Sequence, residues 1–246
     1  MKKNITLLLI LVCLIPQNLQ AQKNDAAIAA GVGALATIAV GVASIEKMKE
    51  QVELRATEHI LNKYPDLNRF LLTTLDFDGK KLTDMSSVSV ITFVLREFDV
   101  LKHVRKDEVI FKNKMVLFAF TSKGWINENG VNFNKIMWHL VTVDEWLNMM
   151  TAYSKLASGE EDEVLIKKAL QEGAIVKKGI RANKSEYNIN FYRIEGDMYL
   201  VSDYSDKFKF VYNERSFGIY LKETKDLVQI GKMELARIHQ HLLYEE

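Results

Sequence analysis

From Ala26 to Tyr64 the chain contains no proline, and only Gly31, Gly33 and Gly41 interrupt an otherwise helix-compatible run. Pro65 then stops it, the second of just two prolines in 246 residues. A continuous helix over residues 26–63 would be ~57 Å long at 1.5 Å per residue. Its two halves differ in kind. Residues 26–45 carry no charge and are dominated by alanine and glycine. Residues 46–63 continue an amphipathic pattern: Ile45, Met48, Val52, Ala56 and Ile60 recur at three or four, with Glu46, Lys47, Lys49, Glu50 and Glu53 between them. A dry half followed by a wet half suits a membrane-to-water transition or a helix leaving a packed bundle.

Within the dry half, Ala29, Gly33, Thr37 and Gly41 recur every four residues, and Ala26, Ala30 and Ala34 do so one face over. Small side chains at this spacing let helices approach closely in lipid. The stretch resembles the glycine-zipper segments of bacterial envelope proteins, which implies membrane contact or self-association through residues 26–63. Only Ile28, Val32, Leu35, Ile38, Val40, Val42 and Ile45 are strongly apolar, and alanine and glycine add little insertion energy. The expected behaviour is passage through an export channel, followed by insertion or self-association. The alternative is a helix buried against the rest of the chain.

An export signal precedes this segment. Lys2 and Lys3 form a basic start, residues 5–15 an apolar stretch broken by Pro16, and Leu19-Gln20-Ala21 a small-residue cleavage site. Residues 1–21 are therefore expected to be removed, with the mature chain starting at Gln22. The single cysteine, Cys13, lies inside the signal, so disulfides, thiolate metal sites and cysteine nucleophiles are not expected beyond it. Losing Lys2 and Lys3 takes the formal charge from +1 to about −1, which gives no electrostatic footprint for nucleic acid. The expected location is the periplasm, the outer membrane or the extracellular space.

After Pro65 the pattern is that of an α+β body of antiparallel sheet with flanking helices. Two units are expected, 65–158 and 159–246, each a meander followed by a helix. In the first, residues 66–75 read as a short helix, 87–98, 108–121 and 135–142 as strands, 124–130 as a loop and 143–157 as a helix. In the second, a helix near 162–172 precedes strands at 174–180, 186–194, 197–204, 207–213 and 216–222. A last helix is expected over about 224–243. The step at 140–147 echoes that at 221–228, which suits a duplicated strand-to-helix unit. Tyr199, Tyr204, Tyr212 and Tyr220, with Phe208, Phe210 and Phe217, make the second sheet aromatic. They read either as a binding platform or as core and cross-strand pairs.

Catalytic signatures are weak. Leu75-Asp76-Phe77-Asp78-Gly79 resembles the first motif of haloacid dehalogenase-type phosphatases, which implies Asp76 as nucleophile, Asp78 as acid and base, and both helping to hold Mg²⁺. The chain departs from that pattern at Lys80, where the family has Thr or Val. It departs again after Gly196-Asp197, where Asp203 comes six residues on rather than four or five. A polar turn is the expected role. As a calcium loop the same aspartates would put Thr74 and Met85 where carboxylates are needed. His239 and His241 fall about 200° apart on a helix and cannot share a ligand; His59, His103 and His139 have no second ligand at useful spacing. No catalytic residue, cofactor or metal site is expected. The leading expectation is a non-enzymatic accessory or assembly component of the cell envelope, with itself or an envelope protein as partner and no nucleic acid. A secreted binding module built on the aromatic sheet comes second, and an aspartate-based hydrolase third.

Overall fold

The structure, a computed structural model, describes residues 42–76, 88–102, 108–127, 130–182, 188–196 and 198–244. In chain order these form α1 (Val42–Lys63), β1 (Phe70–Asp76), β2 (Val90–Leu101), β3 (Glu108–Thr121), β4 (Ile126–Asn127), β5 (Gly130–Val131) and β6 (Ile136–Thr142). Then come α2 (Val143–Ser158), α3 (Glu163–Glu172), β7 (Gly173–Val176), β8 (Gly179–Ala182) and β9 (Asn188–Asn190). The chain closes with β10 (Leu200–Asp203), β11 (Phe208–Tyr212), β12 (Ser216–Leu221), β13 (Asp226–Gly231) and α4 (Lys232–Leu243). Among the described residues the fold is mixed α+β, with four helices and antiparallel sheets.

The first sheet has the order β1-β2-β3-β6 and the second β10-β11-β12-β13; β7, β8 and β9 form a third, and β4 pairs β5 in a small ribbon. β3 reads Met-Val-Leu-Phe-Ala-Phe-Thr over 115–121, with no polar alternation, because both of its faces are covered there. On one face Val52, Ala56 and Ile60 of α1 pack against Ile91, Phe93, Leu95, Met115, Leu117 and Ala119. On the other, Val90, Val116, Phe118, Phe120 and Val141 join α2, α4 and the second sheet. Phe120 and His139 meet Phe208 edge to face across this junction, at 5.6 and 4.9 Å. Residues on either side of position 158 thus share one core. Each fully buried large apolar side chain in it contributes roughly 1.5–3 kcal/mol.

Helix boundaries follow local chemistry. Thr142 accepts from the Glu145 amide at 3.2 Å to open α2, and Asp144 and Glu145 suit the positive end of its dipole. Gly159 closes α2 with φ 78°, a left-handed conformation that an L side chain adopts at a cost. Asp162 accepts from the Val164 and Leu165 amides to start α3.

Three expectations are corrected. Residues 66–75 are not a helix: β1 begins at Phe70 and pairs with β2, with Phe70 and Leu72 packed toward α1 and Leu71 and Thr73 exposed. That period-two burial, offered by an open sheet edge, prevails over any helical tendency. Residues 174–180 are not one strand but a hairpin turning at Lys177-Lys178. The last helix starts at Lys232 rather than near 224, because Val228 and Ile230 alternate into the core while Gln229 and Gly231 face out. The proposed echo fails with it, since 221–228 runs through a turn into β13. Each four-stranded sheet passes directly into a helix, β6 into α2 and β13 into α4.

The expected stop at Pro65 agrees with a helix ending at Lys63. The expected signal over residues 1–21, residues 26–41 and the stripe Ala29, Gly33, Thr37 and Gly41 lie outside the described residues. No helix among the described residues is long and apolar enough to cross a membrane.

Candidate functional site

The four tyrosines do not share one exposed face. Tyr212 points inward: its ring is buried, its hydroxyl donates to the Phe191 carbonyl, and Lys232 Nζ lies 5.6 Å from its centroid. Lys232 is itself buried and also sits 4.8 Å from the Tyr192 ring; burial pulls its pKa down. Tyr204 is half-buried. It stacks on Phe210 at 4.1 Å and donates to Glu145 Oε1 at 3.1 Å, tying β10's end to the start of α2. Burial, then the neighbouring Glu145 carboxylate, push its phenol pKa up. Tyr220 is half-buried on the outer face, opposite Lys209 and Leu227. Tyr199 alone is largely exposed, at 54 %.

Tyr199 belongs to a group that sequence reading missed. β10 is an edge strand, and Met198, Tyr199 and Val201 all stand in solvent along or just before it, Val201 at 58 %. An unpaired edge with large apolar side chains is a template for another strand. Beside it opens a cleft of about 640 Å³, lined by α2 through Asn148, Thr151 and Lys155, by Glu161 and Glu163, and by Arg193 and Val201. That volume is in the range of small-molecule and peptide sites.

The cleft is built from helix-end geometry. Lys155, in the last turn of α2, donates to Glu163 Oε1 at 2.9 Å and lies 3.4 Å from Glu161 Oε2. The hydrogen bond to Glu163 raises the Lys155 pKa, keeping it charged. Arg193 hydrogen-bonds through its amide to the Ala157 carbonyl at 2.9 Å, and its side chain runs past Gly159, where an added Cβ would touch Arg193 Cδ at 3.5 Å. The result is a polar wall of two cations and two carboxylates facing an apolar strand edge. Such a wall can orient a peptide or polar ligand, but nothing in it pairs a nucleophile with a base.

The other sequence candidates lie apart. Asp76 ends β1, and Asp78 and Asp197 are outside the described residues. Asp203 is held by Lys222 at 2.8 Å and Lys209 at 3.7 Å, and the Lys222 hydrogen bond lowers its pKa. His239 is a structural bridge. Trp146 Nε1 donates to its Nδ1 at 3.1 Å, so Nε2 carries the proton and donates to the Gly173 carbonyl at 3.1 Å. Burial holds its pKa down in that neutral form. His241 is buried on the same helix. His59 stacks on Trp138 at 5.6 Å, and His103 is outside the described residues. No group of three metal-ligating side chains occurs among the described residues.

Only the mixed apolar run Met-Tyr-Leu-Val at 198–201 hinted at the cleft in the sequence. Its edge position is set by the sheet order, which no local pattern encodes. Comparison with protein-family models, with curated proteins and with solved structures finds no match to this chain.

Proposed function

We propose that this chain is an exported, non-enzymatic accessory component of a cell envelope, anchored or oligomerised through the Ala29–Gly33–Thr37–Gly41 stripe. The observation that carries this reading is the docking of α1. Its Val52, Ala56 and Ile60 are fully buried on the first sheet, and its first residue, Val42, directly follows the stripe. Whatever holds residues 26–41 therefore holds the body through a packed helix rather than a slack tether. On this reading α1 would continue toward the N-terminus through that stripe, as the sequence pattern leads one to expect.

Fractionation of the tagged protein, with and without residues 26–45, tests this. The intact chain is expected with membranes or in a large assembly, and the shortened one in the soluble fraction as a smaller species. Identical behaviour of the two would defeat the proposal.

A second reading, a peptide-binding module, draws on the exposed β10 edge and the cleft beside it. Main-chain pairing along an edge supplies affinity, and alternate side-chain pockets supply selectivity. Displayed peptides selected on the native protein should bind Val201→Pro at least about tenfold more weakly, because proline removes an edge donor. Equal binding would dispose of this reading.

A further inference from the structure

Residue parity fixes how the open edge of β10 addresses the cleft beside it. The Tyr204 amide donates to the Phe208 carbonyl at 3.2 Å, and Ser202 and Leu200 stand opposite Phe210 and Tyr212. Residues of an antiparallel pair alternate in where their backbone groups point. Leu200, Ser202 and Tyr204 therefore turn theirs toward β11, and Val201 and Asp203 turn theirs toward the open side. Directly opposite residues share a face. Phe210 and Tyr212 are buried, so Ser202 and Leu200 lie on the inner face of the sheet, the face that α2 covers. Ser202 lines the same cleft as Asn148, Thr151 and Lys155 of α2. A strand laid along this edge sends every second side chain toward α2, into the cleft.

The charges lining the cleft are unequally satisfied. Lys155 serves both carboxylates, Glu163 at 2.9 Å and Glu161 at 3.4 Å. Among the described residues no carboxylate pairs with the Arg193 guanidinium. Arg193 is nonetheless held in place. Its amide donates to the Ala157 carbonyl at 2.9 Å. Its Cδ, Nε and Cζ lie 3.5, 3.5 and 3.7 Å from the point that a Cβ on Gly159 would occupy, so the side chain runs along that glycine. A guanidinium with its stem so placed presents a planar fork that matches one carboxylate, and it loses less freedom on binding.

Together these features select the occupant. Open backbone groups on a sheet edge call for an extended peptide. The unpaired fork calls for an anion. It lines the cleft to the side of the edge, where a side chain of the added strand arrives, rather than in line with the strand, where a chain terminus would sit. Glu161 and Glu163 line the same cleft, so a polyphosphate or a nucleic acid would meet them with like charge. A single carboxylate at Arg193 leaves Lys155 to go on serving both. A cationic side chain has less to gain, because both carboxylates already share the Lys155 ammonium.

We propose that the cleft beside β10 takes an extended peptide bearing an Asp or Glu side chain, and that Arg193 holds this carboxylate. This specificity rests on the peptide-binding reading given above, with Arg193 as the residue that sets it.

The test begins with random linear peptides displayed on phage and selected on the full chain. Asp or Glu is expected at one enriched position. Synthetic copies of the selected peptides are then titrated by calorimetry. Replacing the enriched acid by its amide in the peptide, which leaves the protein untouched, should weaken binding about tenfold. Arg193→Gln should weaken the acidic peptide equally and cost the amide peptide nothing further. Arg193→Lys, which keeps the charge without the fork, should fall between. Circular dichroism melting of both variants separates loss of binding from loss of fold. Peptides that lose affinity with Val201→Pro and yet tolerate Arg193→Gln would overturn the role of Arg193 and leave the peptide reading standing. Selected peptides without an acidic residue, or peptides held by a free C-terminus and lost on amidation, would do the same. Failure to select any peptide would defeat both.

Discussion

Strand β3 passes through two environments without changing partner on one side. Over 115–121 every residue is buried; over 108–113 every residue is exposed. Both stretches hydrogen-bond to β2 and both are rich in apolar and β-favouring residues. What differs is cover. α1 lies on one face of the root and α4 and the second sheet on the other, while the arm has neither. Strand pairing satisfies backbone groups in both stretches; only layering removes side chains from water. The same local sequence texture therefore makes core in one half and a solvent-exposed arm in the other.

The comparison can be broken first at the root. Phe118→Ala removes a fully buried ring that stacks on Phe120 at 5.5 Å. The expected loss is about 3–5 kcal/mol in denaturant unfolding. A loss under about 1 kcal/mol would mean that the root is no better covered than the arm.

A smaller effect concerns the α2–α4 wall behind the root. Trp146→Phe deletes the N–H aimed at His239 Nδ1 and should lower stability by about 1–3 kcal/mol. The same bridge gives a pH dependence. Burial sets the folded pKa of His239 below its ordinary 6.5, so the unfolded chain binds the proton more readily. The stability due to the neutral ring is complete above pH 6.5 and is lost as the pH falls from there toward the folded value. Protonation would also put a donor on Nδ1, facing the indole N–H. His139, likewise held down by burial, titrates in the same direction. Denaturant unfolding at pH 7 and pH 5 should show a loss in acid, and a smaller acid loss in Trp146→Phe, where that donor clash is gone. An equal acid loss in both proteins would remove His239 as its source.

The smallest effect is expected in the arm. Phe111→Ser should change stability in denaturant unfolding by no more than about 0.5 kcal/mol. A loss comparable to that of Phe118→Ala would erase the distinction between root and arm.

Much of the fold could be read before the structure. The bounds of β3 are those read from the sequence, and α2 and α3 fall within a residue or two, because apolar periodicity there coincides with explicit caps at Thr142, Gly159 and Asp162. β1 and β13 were misassigned for one reason: each is a short segment whose period-two burial exists only because a neighbouring strand and a covering helix are present. The cleft beside β10 was less legible still. Lys155, Glu161, Glu163 and Arg193 are ordinary surface charges until the end of α2 and the loop before β10 are brought together.

By itself the sequence determined the basic-then-apolar spacing of residues 1–21, the single cysteine within them, the small-residue stripe and the amphipathic helix ended by Pro65. These are properties of covalent order and of one-dimensional spacing. Only the tertiary structure decided that Tyr212 is core while Tyr199 is surface, that His239 is a neutral bridge, and that β10 is, among the described residues, an edge strand. Burial and edge status depend on what lies across the sheet, often a hundred residues away in the chain, as Thr92 on β2 shows by donating to Glu234 on α4 at 2.8 Å. Local patterning cannot encode a neighbour that arrives from so far along the chain.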